Sequence, residues 1–145
     1  MTAAFDLERF VDAQADVHAR ALDELRAGRK TGHWIWFVFP QLTGLGRSEL
    51  SRFYGIGSLA EARAYLGHPV LGPRLRAAAD VLLGVRGRSA EAILGPVDAK
   101  KVRSSMTLFH RADPDAAAIR AVLDRYFGGV PDPLTDELLR ADDDR

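Results

Sequence analysis

Apolar residues return every three or four positions along most of this chain. Phe10, Gln14, Val17, Ala21 and Leu25 follow at spacings of four, three, four and four, with a charged face opposite. That pattern is one face of an α-helix. It predicts a first helix capped by Asp6, with Glu8 in its first turn and Gly28 closing it. Gln14 is the one polar residue in the stripe and is expected to bond nearby backbone. Leu71, Leu75, Ala78, Ala79, Leu82 and Leu83 form a second long stripe. Val102, Met106 and Phe109 form a third, on a helix over 99–110 that Asp98 is expected to cap. Ile119, Val122, Leu123, Tyr126 and Phe127 form a fourth, opened by Asp113-Pro114 and closed by Gly128-Gly129. Shorter helices are predicted between and after these. Ser48 caps 49–54, the capping box Ser58-Leu59-Ala60-Glu61 opens a run to Leu66, Ser89 caps 90–94, and Pro133 to Arg140 ends the series.

One stretch breaks the periodicity. Trp34-Ile35-Trp36-Phe37-Val38-Phe39 is apolar without interruption, between Lys30-Thr31-Gly32-His33 and Pro40-Gln41. It holds both tryptophans of the chain. A run apolar on all sides must be buried on nearly all sides. Periodicity does not decide between helix and strand over so short a run. A short helix is favoured, because almost nothing else in the sequence reads as a strand to pair with it. Buried indole N–H groups need acceptors, so each tryptophan is expected to turn its polar edge toward a cleft or a carbonyl.

The pattern as a whole predicts an all-α fold. It is a compact single-domain multihelical bundle of about seven to nine helices, several of them short, over residues 1–140, with the acidic residues 141–145 fraying. At 145 residues the chain is long enough to bury a core without staples. It has no cysteine, which excludes disulfides, thiolate metal sites and thiol catalysis. No apolar run approaches the ~20 residues of a membrane span, and the first residues lack the pattern of a signal peptide. A soluble, cytoplasmic protein is the expectation. Net charge is zero but unevenly distributed: residues 29–112 are net basic, and the segments on either side are net acidic. Acidic ends packing over a basic middle would account for this, as would a basic middle that lines an anion site.

Few motifs carry chemistry. His18, His33, His68 and His110 show no metal-binding spacing, so no metal is assigned, and no cofactor motif is present. Ser104-Ser105 lacks the context of a nucleophile elbow. What remains is a set of polar residues at segment edges. Lys30 and His33 precede the aromatic run and Gln41 follows it, while Asp98, Lys100 and Lys101 open a helix. Lysines in a first turn oppose the helix dipole but suit an anion received by free N–H groups. The first hypothesis places Lys30, His33, Trp36, Gln41, Asp98, Lys101 and Ser105 around one cleft. Lys30 and Lys101 hold an anionic small molecule such as a nucleotide or ribosyl compound, Trp36 stacks on it, and His33 or Asp98 is the candidate acid or base. The plain structural reading is that Asp98 caps its helix and the lysines pair with carboxylates. The competing functional hypothesis is a non-catalytic protein-interaction module with an unidentified protein partner. Nucleic-acid binding is disfavoured by zero net charge and the lack of a recognised module, and no membrane partner is expected.

Lys30 to Gln41 followed by Gly44-Leu45-Gly46 resembles the signature of the DUF1810 family. Phe5 to Phe10 with Ala13-Gln14, His68-Pro69 with Leu71-Gly72, and Asp98 with Lys101 and Ser104 to Phe109 resemble its other blocks. The resemblance implies a mainly helical single domain and no defined activity. Some members carry the label calpastatin. Inhibitors of that name are disordered segments, whereas this chain has core-forming helices throughout. A looser similarity, in helical character and in polar residues around aromatic segments, links it to the NADAR group acting on ribosyl N-glycosidic bonds. That is fold-level analogy, which does not itself carry function.

Overall fold

The first apolar stripe folds as two helices. In the computed structural model, which describes residues 5–143, α1 spans Glu8–Gln14 and α2 spans His18–Arg26. Between them Ala15 and Val17 donate back to Asp12 and Gln14 in tight three-residue turns. No glycine or proline marks the break. Asp6 does not cap: α1 starts after Leu7, and no side chain caps it. Gln14 does not bond nearby backbone either. It is buried, and its Nε2 donates across the core to Phe37 O at 2.6 Å and to Tyr65 Oη at 3.1 Å.

The aromatic run forms a short helix, α3, over Ile35–Val38. Next come α4 (Glu49–Phe53), α5 (Leu59–Gly67), α6 (Leu71–Gly84) and α7 (Ala90–Leu94). The longest helix, α8 (Pro96–Ala112), is followed by α9 (Ala117–Phe127) and α10 (Pro133–Asp143). The division of the first stripe brings the helices to ten among the described residues, all in one all-α domain. Ser48, Ser58 and Ser89 cap α4, α5 and α7 as their sequence context predicts. The capping box at α5 is shifted by one, since Glu61 accepts from Gly57 N rather than from its cap. Helix α10 continues three residues past Arg140, and residues 144–145 lie outside the described residues. No helix among the described residues is long and apolar enough to cross a membrane.

Helix α8 is the axis of the molecule. It packs against α5, α7, α9 and α10, and its first half meets α3. Ala99, Val102, Met106, Leu108 and Phe109 are buried on it. The start of α8 differs from the sequence expectation. The helix begins at Pro96, behind Gly95 at φ +85°, so Asp98 lies inside the first turn instead of capping it. Proline fits the first helical position because its missing N–H has no intrahelical partner there. Gly95 supplies a backbone angle that other residues adopt at a cost. Similarly, α9 begins at Ala117. Asp113 accepts from Asp115 N and makes a turn of the segment expected to open the helix.

Two features fix the segment that carries Lys30. Glu24, on α2, accepts from Thr31 N at 2.7 Å, Gly32 N at 2.8 Å and Trp34 Nε1 at 3.0 Å, all through one carboxylate oxygen. Lys30 N donates to Ile93 O at 2.7 Å, tying the same turn to α7. After α3 the chain is clamped by a two-residue parallel bridge, Leu42 with Ile56. Thr43 N donates to Ile56 O at 2.8 Å, and Ile56 N to Gln41 O at 2.9 Å. The loop over 41–47 therefore stands at a fixed position beside α8.

Two predictions follow from this framework. A Cβ added to Gly72 would lie 2.1 Å from Leu66 O, a backbone atom that cannot move aside. Gly72→Ala is expected to destabilise by about 1–3 kcal/mol, against the ~1 kcal/mol gain that helix propensity alone gives. Urea denaturation measures it, and a stabilised variant would refute the close approach. Burial pushes the Glu24 carboxyl up, but the hydrogen bonds from Gly32, Thr31 and Trp34 outweigh it and hold the group below its ordinary value. A depressed folded value means stability that is present above the unfolded value of about 4.3 and is lost as pH falls through the folded one. Glu24→Gln is therefore expected to cost about 0.5–1 kcal/mol at neutral pH, the value being reduced by solvent screening of a partly exposed carboxylate, with the gap to the parent closing in acid. A gap independent of pH would show that the carboxylate charge contributes nothing.

Candidate functional site

Lys30, Asp98, Lys101 and Trp36 meet where α3 lies against the first turns of α8. Lys30 Nζ is 2.7 Å from Asp98 Oδ2, and Lys101 Nζ is 3.8 Å from Asp98 Oδ1. Each lysine also sits over an indole, Lys30 at 4.9 Å from the Trp34 ring and Lys101 at 4.8 Å from the Trp36 ring. The two lysines are not equivalent. Only 7% of the Lys30 side chain is exposed, and its ammonium also donates to Gly32 O at 2.5 Å. Lys101 is held by a longer ion pair and by an aromatic face, with 22% of its side chain exposed. Lys101 is therefore the cation of this cluster that faces outward. Asp98 has one oxygen turned toward each ammonium.

Trp34 and Trp36 also differ. The Trp34 indole N–H reaches the Glu24 carboxylate, as a buried indole requires. The Trp36 Nε1 is buried and has no hydrogen-bond partner in the protein. Trp36 borders a cavity of about 10 Å³, room for one water, together with Gln41, Ser51 and Tyr54. Gln41 borders this cavity and also a larger groove of about 340 Å³ on its other side.

Three segments build the larger groove. The loop after α3 supplies Gln41, Leu45 and Gly46. Helix α8 supplies Val97, Lys100, Lys101 and Ser104, at the helical spacing that sets these positions along one side. The opposite wall is the start of α10, with Asp132 and Leu134. Arg103 also borders the groove, but its guanidinium donates to Val130 O and Pro131 O and so holds the segment before α10. Asp132 Oδ2 accepts from Ser104 Oγ at 2.9 Å, Thr135 N at 3.2 Å and Thr135 Oγ1 at 2.6 Å, which makes it the cap of α10. Lys100 is exposed, with no ion-pair partner among the described residues.

The residues expected to share one cleft are thus partly gathered. Lys30, Asp98, Lys101 and Trp36 form a continuous cluster, and Gln41 stands beside it. His33 is exposed and borders neither cavity that Gln41 opens onto. Ser105 is fully buried one turn beyond Lys101 on the same face of α8, and its hydroxyl has no partner in the protein. Among the described residues no three His, Asp or Glu side chains converge as a metal ion would require.

Sequence reasoning missed Glu24, which reads as one more charge on the polar face of its helix. It also missed the far wall of the groove. The Asp132-Pro133 pair carries a local helix-start signal, but nothing local says that this start faces Lys100.

A family model described as a protein of unknown function, DUF1810, matches residues 4–139. No curated protein matches the chain. The crystal structure of the conserved hypothetical protein Rv1873 from Mycobacterium tuberculosis is 54% identical in sequence and superimposes with a TM-score of 0.93, over 95% of this chain and 99% of that one. A family match over nearly the whole chain and a relative of the same fold and length lead to one statement: the chain belongs to the DUF1810 family.

Proposed function

We propose that this protein binds an anionic small molecule where Lys101 borders the groove between the 41–46 loop and α10. The observation that carries the reading is the state of Lys101. Its ammonium lies over the Trp36 face and at the edge of Asp98, pre-oriented but without a close carboxylate partner. A long lysine otherwise loses side-chain entropy when it is ordered, so an ammonium already oriented binds an anion at lower cost. Lys100 on the adjacent position adds a second cation. In this reading Lys30 and Asp98 are positioning residues. Lys30 neutralises one oxygen of Asp98, and Asp98 orients Lys101. The Trp36 ring holds the Lys101 ammonium in place, and Gln41, which lines the groove, supplies an amide beside the bound group. Nucleotides and ribosyl compounds such as ADP-ribose belong to this ligand class.

Calorimetric titration and thermal shift with inorganic phosphate, AMP and ADP-ribose test the proposal. A ligand present at a hundred times its Kd stabilises the fold by about 2.7 kcal/mol, a readily measured shift. Lys101→Gln is expected to weaken binding about tenfold or more while leaving the unliganded melting temperature nearly unchanged, since its ion pair is long and partly exposed. Absence of saturable binding by any of these anions overturns the reading. It would favour instead a non-catalytic protein-interaction module, with the exposed Leu50 and Phe53 of α4 as its contact surface.

A further inference from the structure

Val97 and Leu134 stand out on this surface. Among the described residues only five large hydrophobic side chains are exposed, and these two are among them, at 65% and 59%. Single exposed hydrophobics are ordinary. These two belong to different helices, α8 and α10, and both line the same groove that Lys100 and Lys101 border. Leu45 completes an apolar lining from the loop side, half-buried against the core. The polar groups of the far wall are largely committed. Arg103 is spent on two backbone carbonyls, and Asp132 caps α10. The groove thus pairs two cations at one place with apolar contacts beside them, over a length of about 10 Å from Val97 to Ser104 at 1.5 Å per helical residue.

We infer that the ligand of this groove is an amphipathic anion, a phosphate monoester or similar group that carries an apolar body, and not a free inorganic anion. This rests on the anion reading above and adds the second half of the ligand. The charged group meets Lys100 and Lys101. The apolar body lies between Val97, Leu45 and Leu134 and removes their surface from water, the contribution that scales with buried apolar area. A volume of about 340 Å³ suits a body the size of one aromatic ring or a short branched chain with its anionic group.

The test compares inorganic phosphate, n-butyl phosphate and phenyl phosphate by titration calorimetry on the full chain, with binding located by NMR shift changes. Affinity is expected to rise about tenfold or more from inorganic phosphate to the better of the two esters. The rank of butyl against phenyl distinguishes an aliphatic from an aromatic body, and either order supports the inference. In the double variant Val97→Ser, Leu134→Ser that gain is expected to vanish, with inorganic phosphate binding unchanged. Both positions are exposed, so the variant folds as the parent does. Equal affinity for all three probes overturns the inference and leaves the anion site standing. A gain that survives the double variant overturns it too, by placing the apolar contact elsewhere. Binding of none of the three overturns the anion reading with it.

Discussion

The largely enclosed ion pair between Lys30 and Asp98 is the contact on which the candidate site depends. It joins the turn after α2 to the first turn of the central helix, across a separation of 68 residues in sequence. An unpaired charge at either position would be costly, though solvent at the Asp98 edge keeps the cost below the ~3–5 kcal/mol of a fully buried pair. The pair is further secured by the Gly32 carbonyl and the face of Trp34. This has a consequence for function. A lysine so enclosed is not free to reach a ligand without exposing Asp98, so the proposal gives the ligand contact to Lys101 and not to Lys30. Asp98 in turn is a shared anion between two cations, which sets where Lys101 stands.

Helical periodicity made most of the fold readable. Val102, Met106 and Phe109 of α8 and Ile119, Val122 and Leu123 of α9 are buried as their spacing predicts. Serine caps were readable for the same reason: a cap is a local hydrogen bond, and its signal lies within four residues. What was not readable depends on partners distant in sequence. Glu24 looks like surface, yet it holds Thr31, Gly32 and Trp34. Asp98 looks like a cap, yet Gly95 and Pro96 start the helix and free its carboxylate for Lys30. The division of α1 from α2 has no punctuating residue at all.

The same distinction explains the candidate site. That polar residues flank the aromatic run was visible in the chain, and Lys30, Trp36, Asp98 and Lys101 do come together. Their division of labour was not visible. Two lysines of equal formal charge differ because one is enclosed by a carbonyl and a carboxylate while the other rests on an exposed edge. His33 is adjacent to this cluster in sequence but stands apart from both cavities, because the Glu24 hydrogen bonds draw the neighbouring Gly32 and Trp34 inward and leave it on the outside.

Helix α3 shows how the polar and apolar parts of the core cooperate. A four-residue helix satisfies almost none of its own backbone groups and has no independent stability. Its Phe37 carbonyl, which no later turn of helix reaches, accepts from Gln14, with the Tyr65 hydroxyl close by. Arg74 in turn donates to Gln14 Oε1 at 3.3 Å. Each of these bonds contributes only about 1 kcal/mol net, but leaving the carbonyl buried and unmet would cost more. Gln14 in the apolar stripe is therefore the residue that lets the aromatic run end inside the core. With that end fixed, Pro40 and Gln41 leave the core at a defined point, and the loop that walls the groove starts from it.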